Sequence, residues 1–518
     1  MNDALLKSIR ALGLAMFLVA MSVFSLSLFL GEFKLTQSIF ETSVPNEAHR
    51  AALAPELAAM MEKPYASSWA FVSDYHAALE RANEKAKAEQ KWDDVIYADY
   101  TFTLTKNASI GVLRDHHGTL FWFSVGLGIL GALLHILPQV KLLGLPGMKH
   151  NGVWHSPTTN GGWVGMLIGT YLIGFYILLY FYAEYITGWV LLVDPLSLAL
   201  SGKPADQWFL YGFLYCVAVL VMGVRMFVKY QHSNYQKLRT ASVMFFQTGF
   251  AFLIPELLKS LNLPARDLKQ IFPLDYSFFY DYKLAELSSS GMIGTLMLVW
   301  GVALIVIGVP LMTYFFGKRW YCSWVCGCGG LAETLGDPFR QLSDKSLTAW
   351  RIERVVVHSV LVFAAVLMMV SLYSYFTNAQ SLLGIETWRV RQAYGFLIGA
   401  IFSGVVGTGF YPLMGSRVWC RFGCPLAAYL GLVQRFKSRF RITTNGGQCI
   451  SCGNCSTYCE MGIDVRAYAQ RGENIVRSSC VGCGVCAAVC PRGVLSLENG
   501  IEESRIIHVK SSDLKILT

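Results

Sequence analysis

The sequence predicts a polytopic α-helical membrane protein of about eight transmembrane helices with a small α+β domain near its C-terminal end. Three observations lead there. Of 518 residues, 54% are hydrophobic and only 15% charged, with 13 Trp and 32 Phe, more apolar surface than a soluble fold can bury. Several stretches reach the length of about 20 predominantly apolar residues that a bilayer crossing requires. Between Cys449 and Cys490, cysteines recur in a tight, repeated order that marks a compact metal-holding domain.

The predicted spans cover roughly 11–31, 119–140, 163–187, 208–228, 242–260, 291–316, 355–376 and 395–414. The first follows Lys7 and Arg10 and has no small-x-small cleavage site before Phe33, so 1–33 reads as an uncleaved N-terminal anchor. The fifth carries Gln247 and Pro255, which leaves a re-entrant segment as its alternative. Residues 34–116 form an extracytoplasmic helical insertion, with helix-like stretches at 47–62 and 75–91. The transmembrane bundle then occupies 117–441, and 501–518 is a C-terminal tail.

Basic residues fix the expected orientation. Lys7 and Arg10, Lys141 and Lys149, Arg225 to Arg239, Lys318 to Arg354, and Arg417 to Arg441 cluster on alternate loops. Both termini and the cysteine-rich domain are therefore expected in the cytoplasm of a bacterial cell, with the chain in its inner membrane; Arg389 and Arg391 are the exceptions. The net charge of +9 is explained by those loops, and it points to membrane lipid and an acidic redox partner, not to nucleic acid. No phosphate-cradling glycine loop, covalent-flavin signature or Cys-x-x-Cys-His haem motif occurs.

The cysteine order is Cys449-x2-Cys452-x2-Cys455-x3-Cys459, then Cys480-x2-Cys483-x2-Cys486-x3-Cys490-Pro491. Each iron of a cubane needs one thiolate, and in two-cluster ferredoxins the fourth cysteine of a run crosses to the other cluster. Cys449, Cys452, Cys455 and Cys490 are thus expected on one [4Fe–4S] cluster, and Cys480, Cys483, Cys486 and Cys459 on the other. Residues 442–500 become a two-cluster ferredoxin-like cytoplasmic domain; paired zinc ribbons are the alternative. Glu460 stands where proline often follows such a fourth cysteine.

Two further motifs follow the sixth and eighth spans: Cys322-Ser-Trp-Val-Cys326-Gly-Cys328 and Cys420-Arg-Phe-Gly-Cys424-Pro425. Each has a basic-aromatic lead-in and a small-residue segment after it, as if one device were used twice. Cys322, Cys326, Cys420 and Cys424 suit a third iron–sulfur cluster; a redox-active disulfide or metal-handling pair, and buried structural thiols, are the alternatives. Cys216, alone inside the fourth span, reads as structural. With these motifs the chain resembles the NapH/NosR-type membrane polyferredoxins over about residues 290–495. Cys420, Cys424 and Pro425 match that family's Cys-x3-Cys-Pro motif, whereas Gly327 replaces proline in the first copy and Cys328 is extra. The resemblance implies an electron-transfer role in the membrane for these cysteines.

The expected function is a relay of electrons between a soluble ferredoxin or flavoprotein and the quinone pool or a membrane redox complex. The alternative is an assembly or maintenance reductase that delivers electrons to a metal or disulfide in another membrane protein. Redox-driven ion transport finds little support, because the spans lack paired acidic residues at mid-depth. His135 and His358, at similar expected depth, are candidates for a haem b or quinone site, against an interfacial reading. Glu184 and Glu256 are candidate proton relays. The basic, aromatic stretch 225–239 is either a topology anchor or a docking surface for an acidic donor.

Overall fold

The computed structural model describes residues 3–92, 95–147, 156 and 158–500; Lys149, the side chain of Lys437 and the tail 501–518 lie outside the described residues. The chain divides into two units, one of residues 1–142 and 174–217, the other of 143–173 and 218–518.

Nine helices among the described residues are long and apolar enough to cross a membrane: Asp3–Phe29, His117–Leu143, Trp163–Phe181, Ala183–Ser201, Gln207–Lys229, Asn234–Ser260, Gly291–Phe316, Leu347–Thr377 and Thr387–Gly409. All but one overlie a predicted span. The addition is Ala183–Ser201, of which the predicted third span, 163–187, covers only the first turn and whose apolar run is broken by Asp194 and Pro195. Its apolar window is 56% buried against 11–33% in the others, so this helix faces protein where they face lipid. The fifth span is a continuous helix and not a re-entrant segment. A wider π turn over Phe246–Leu253 passes into the α-helix Ile254–Ser260, so Pro255 sits where its missing N–H costs little.

In the first unit, Asp3–Leu26 and Leu127–Leu143 pack through glycine. A Cβ on Gly13 would lie 2.5 Å from the His135 backbone nitrogen, and one on Gly131 2.6 Å from that of Phe17. Small residues let membrane helices approach this closely. His135 Nδ1 donates to the Arg10 carbonyl at 3.0 Å, which makes it part of this crossing.

The insertion folds around Phe33, Leu35, Phe40, Leu53, Leu57, Phe71 and Leu104. Helices Glu47–Leu57 and Ser68–Ala88 are capped by Asn46 and Ser67, whose side chains accept backbone N–H groups of the first turn. Three short antiparallel strands accompany them, Pro64–Tyr65, Glu32–Lys34 and Ser109–Ile110 in that spatial order. Lys106 and Asp194 form a buried pair at 2.7 Å, and Asp194 also accepts the Ala205 N–H at 2.7 Å.

In the second unit, the antiparallel strands Phe440–Thr444 and Leu495–Asn499 bracket the ferredoxin-like segment. Short helices Asn454–Thr457, Val465–Arg471 and Val485–Ala488 lie between them. The backbone of the connection 261–280, between the fifth and sixth predicted spans, folds back along the helices: Trp300 Nε1 donates to the Leu268 carbonyl at 2.9 Å and Tyr321 Oη to that of Lys269 at 3.0 Å. Ile271, Phe272 and Phe278 are buried, the condition under which irregular backbone is tolerated at membrane depth. Arg389 and Arg391, exceptions in the charge pattern, pair with Glu386 and Asp281.

Removing one partner of the Lys106–Asp194 pair leaves an uncompensated buried charge, a cost of about 3–5 kcal/mol. Lys106→Met is expected to lower the thermal midpoint of the purified full chain and expose 34–116 to protease. The double variant Lys106→Met/Asp194→Leu is expected to recover most of that loss.

Candidate metal centres

Three cavities in the second unit are lined by thiols. Cys449, Cys452, Cys455 and Cys490 line the first, with Ile450, Arg466 and Leu495. Cys459, Cys480, Cys483 and Cys486 line the second, with Ile442, Glu460 and Val465. Cys322, Cys326, Cys328, Cys420 and Cys424 line the third, with Leu274, Tyr321 and Trp419. The helix Val465–Arg471 stands between the first two: Arg466 and Ala469 line one cavity, Val465 the other.

Local sequence explains how the thiols converge. In the second cavity, membrane-side side chains bond four successive backbone carbonyls. Gln434 Nε2 donates to Cys480 O at 2.9 Å, Ser323 Oγ to Val481 O at 2.8 Å, Tyr235 Oη to Gly482 O at 2.9 Å and Gln236 Nε2 to Cys483 O at 2.8 Å. Holding the carbonyls outward leaves the loop amides free to face sulfur. Gly482 has φ +61°, and a Cβ there would meet Arg319 Cβ at 2.7 Å, so the docked loop requires glycine.

In the third cavity, both Cys326 and Cys424 occupy the N-cap of the helix that follows, Gly327–Glu333 and Pro425–Lys437. Cys424 Sγ accepts the Ala427 N–H at 3.4 Å. The first helical position needs no N–H partner, so Pro425 suits it and Gly327 serves in the other copy. The extra thiol, Cys328, lies in the same cavity.

The basic residues read as topology signals have a second role. Arg239, Arg340 and Arg417 are buried and converge on Glu333, while Arg340 and Arg417 also reach Glu460, at 2.8 and 2.9 Å. Asp337 is bound by Arg225, Lys229 and Arg340. Burial alone would raise the Glu333 carboxyl, but the guanidiniums of Arg239, Arg340 and Arg417 hold it well below the usual range. Burial pushes Glu460 up, against the pull of Arg340 and Arg417. Five cations thus surround three carboxylates, a surplus of two placed beside thiols.

The stretch 225–239 consequently turns inward. Arg225, Lys229 and Arg239 are consumed by these ion pairs, and Tyr235 and Gln236 by the ferredoxin loop, so the docking-surface reading for an acidic donor keeps only Lys237 of its four Lys/Arg cations.

His358 Nδ1 donates to the Arg354 carbonyl at 2.6 Å, and its ring lines a further cavity with Lys318, Glu353, Arg354, Cys420, Arg421 and Met461. His135 and His358 belong to different units, each with its own backbone partner. Glu256 pairs with Lys259 at 2.7 Å at its helix end; Glu184 sits in the turn before Thr187. Cys216 is buried in its span.

The donor sets fit iron–sulfur clusters: four or more thiols per cavity, no carboxylate among the direct lining of the first and third, and buried arginines close to the second and third. Burial pushes Cys322 up to about 12 and Cys480 up to about 11, so metal binding there displaces protons. Glu333, Glu460 and Cys483 bring ligand atoms within 4.8 Å of one another, but three guanidiniums are already ion-paired to Glu333 and two of them to Glu460, which disfavours a further cation there.

Glu333→Ala leaves three buried guanidiniums short of an anion. It is expected to cost about 3–5 kcal/mol and to make residues 440–500 protease-sensitive in the purified full chain. Glu286→Ala, which breaks the exposed pair with Lys283, is expected to stay within about 1 kcal/mol of wild type.

Comparison with known proteins bears on these cavities. Residues 448–495 match the 4Fe-4S dicluster domain, and residues 298–346 and 394–443 each match the same 4Fe-4S binding domain, one match per membrane-edge motif. Among curated proteins, YccM of Escherichia coli K12, described as an electron transport protein, is 27% identical over 35% of this chain and 52% of its own length. The methylamine utilization ferredoxin-type protein MauN of Methylobacillus flagellatus is 28% identical over 28% of this chain and 50% of its own length. Protein NirI of Paracoccus denitrificans is 26% identical over 31% of this chain and 24% of its own length. The chain therefore spans about half the length of the first two and a quarter of the third. No solved structure matches it. Through the two membrane-edge matches and the dicluster match, residues 298–346, 394–443 and 448–495 are similar to 4Fe-4S proteins, and the curated relatives they share include ferredoxin-type and electron transport proteins.

Proposed function

We propose that this protein is a membrane-bound iron–sulfur electron relay with three [4Fe–4S] clusters. The observation that carries the reading is that three thiol-lined cavities lie in one unit, joined by shared elements and contacts. Val465–Arg471 separates the first two, and the Arg417–Glu460 contact joins the surroundings of the second and third. Cys449, Cys452, Cys455 and Cys490 would hold one cluster, Cys459, Cys480, Cys483 and Cys486 the next, and Cys322, Cys326, Cys420 and Cys424 the third. Such a cluster supplies a one-electron site whose potential follows its charge, hydrogen bonds and exposure.

The chain's own residues supply access at each end. Cys452 is exposed, and Ile450 is 55% exposed beside it, so a soluble ferredoxin or flavoprotein would meet the relay at the first cavity. At the other end, the His358 cavity reaches Cys420 and Met461. Because Nδ1–H is engaged by the Arg354 carbonyl, Nε2 of neutral His358 is the acceptor nitrogen, placed to take a proton from a quinol or, once protonated, to donate to a quinone carbonyl. No haem need be invoked for either histidine.

The orientation we propose is the inner membrane of a bacterium, with both termini and the ferredoxin segment in the cytoplasm. The basic loops support it. Ala183–Ser201, buried and interrupted by Asp194, is read as packed beneath the 34–116 insertion and not as a crossing, which keeps the number of spans even.

The fifth thiol, Cys328, favours a second reading, an assembly or maintenance reductase acting on a metal or disulfide of a membrane partner. In that case Cys328→Ala abolishes reduction of the partner while bulk electron flow continues. The relay is tested by iron and acid-labile sulfide per purified chain. About twelve irons are expected, the content of three cubanes, falling to about eight in Cys420→Ala with the reduced ferredoxin signals retained. About eight irons in the wild type would overturn the third site.

A further inference from the structure

One side chain contacts a lining residue of each of the two inner cavities, Cys420 of one and Glu460 of the other. Arg417, fully buried, donates from Nη1 to Cys420 Sγ at 3.5 Å and to the Cys322 carbonyl at 3.3 Å. Its Nη2 reaches Glu333 Oε1 at 2.6 Å, and its Nε lies 2.9 Å from Glu460 Oε1. Glu460 follows Cys459 and lines the second cavity, where both carboxylates approach Cys483. The guanidinium is therefore fastened between a thiol of the membrane-edge cavity and the carboxylates beside a thiol of the ferredoxin segment.

We propose that Arg417 is a positioning residue that raises the reduction potential of the membrane-edge cluster and couples it to the neighbouring one. The inference rests on the reading of a third cluster. Reduction adds one negative charge, and a charge-assisted hydrogen bond to a ligand sulfur stabilises the reduced form. The site is dry, so the interaction is weakly screened. Glu333 and Glu460 clamp the fork from two other directions, which prevents the side chain from relaxing toward or away from sulfur as the charge changes. The same carboxylates carry the coupling: an electron on the Cys483 side strengthens the negative field that Arg417 must also answer. A lysine keeps the charge but cannot make these contacts at once, because it lacks the planar fork.

The test is an EPR-monitored redox titration of the full chain in detergent, with iron analysis of each variant. Arg417→Gln is expected to retain about twelve irons and to lower the reduced-to-oxidised ratio of the third cluster about tenfold at fixed potential. That ratio corresponds to about 59 mV for a one-electron couple. The outer Cys449 cluster is expected to be unmoved. Arg417→Lys should recover part of the shift, and Arg225→Gln, which removes a cation from Asp337 but none from sulfur, should leave the third cluster where it was. An unchanged third potential in Arg417→Gln, or an equal shift of all three clusters, overturns the proposal. If Arg417→Gln does not fold, Arg417→Lys decides alone: a smaller fall confined to the third cluster supports it, and none overturns it. About eight irons in the wild type would instead remove the third cluster itself, and the proposal with it, so the two failures are distinguishable.

Discussion

The constraint on which this structure depends is that buried sulfur sites are anionic once they hold metal, and anions in a dry interior require fixed cations. Thiolates packed against a membrane edge cannot rely on water for that. The chain answers with Arg417 at Cys420 Sγ, and with Arg239, Arg340, Arg225 and Lys229 arranged around three carboxylates. A buried pair contributes little net stability compared with apolar packing, yet breaking one is costly. The network is therefore better understood as fixing where the ferredoxin segment sits than as strengthening the fold. Glu460 links the cysteine run itself to Arg340 and Arg417, and Ser343 bonds its carbonyl, so the position of Cys459 is tied to the membrane-edge loops.

The same logic explains why the ferredoxin segment does not behave as a tethered soluble module. Its Cys480–Cys483 carbonyls are each bonded by a side chain from the helix starting at Asn234, from the loop around Ser323, or from Pro425–Lys437. Those three elements also build the third cavity or its supports. The connection 261–280 closes that cavity from the other direction, with Leu274 in its lining and Lys269 bonded to Tyr321. Electron transfer between fixed sites benefits from this kind of rigidity, because a donor and acceptor on one packed body need no reorganisation of the chain.

Much of this was legible in the sequence. The cysteine spacing groups Cys490 with the first run and Cys459 with the second, and the structure lines the same sets around two cavities, since a short loop can place only three thiols about one centre. The eight spans were legible because hydropathy responds directly to lipid exposure. Ala183–Ser201 was not, because a helix buried against protein may carry Asp194 and Pro195. The charge network escaped for a related reason: Arg239, Arg340 and Arg417 satisfy the positive-inside pattern, and nothing in that pattern distinguishes a cation facing headgroups from one buried against Glu333. Glu460 was the available signal, a carboxylate where a turn favours proline, and its meaning depends on partners over 40 residues away. The fold-back of 261–280 had no sequence signature at all, because its irregular backbone is justified only by the protein packed around it.

The most direct test of three clusters on one packed body is magnetic. EPR spectra of the fully reduced, purified chain are expected to show lines broadened and split by spin–spin interaction, with part of that interaction disappearing in Cys420→Ala while the ferredoxin pair keeps its own. A wild-type spectrum that equals the sum of isolated clusters, unchanged by Cys420→Ala, would contradict the account.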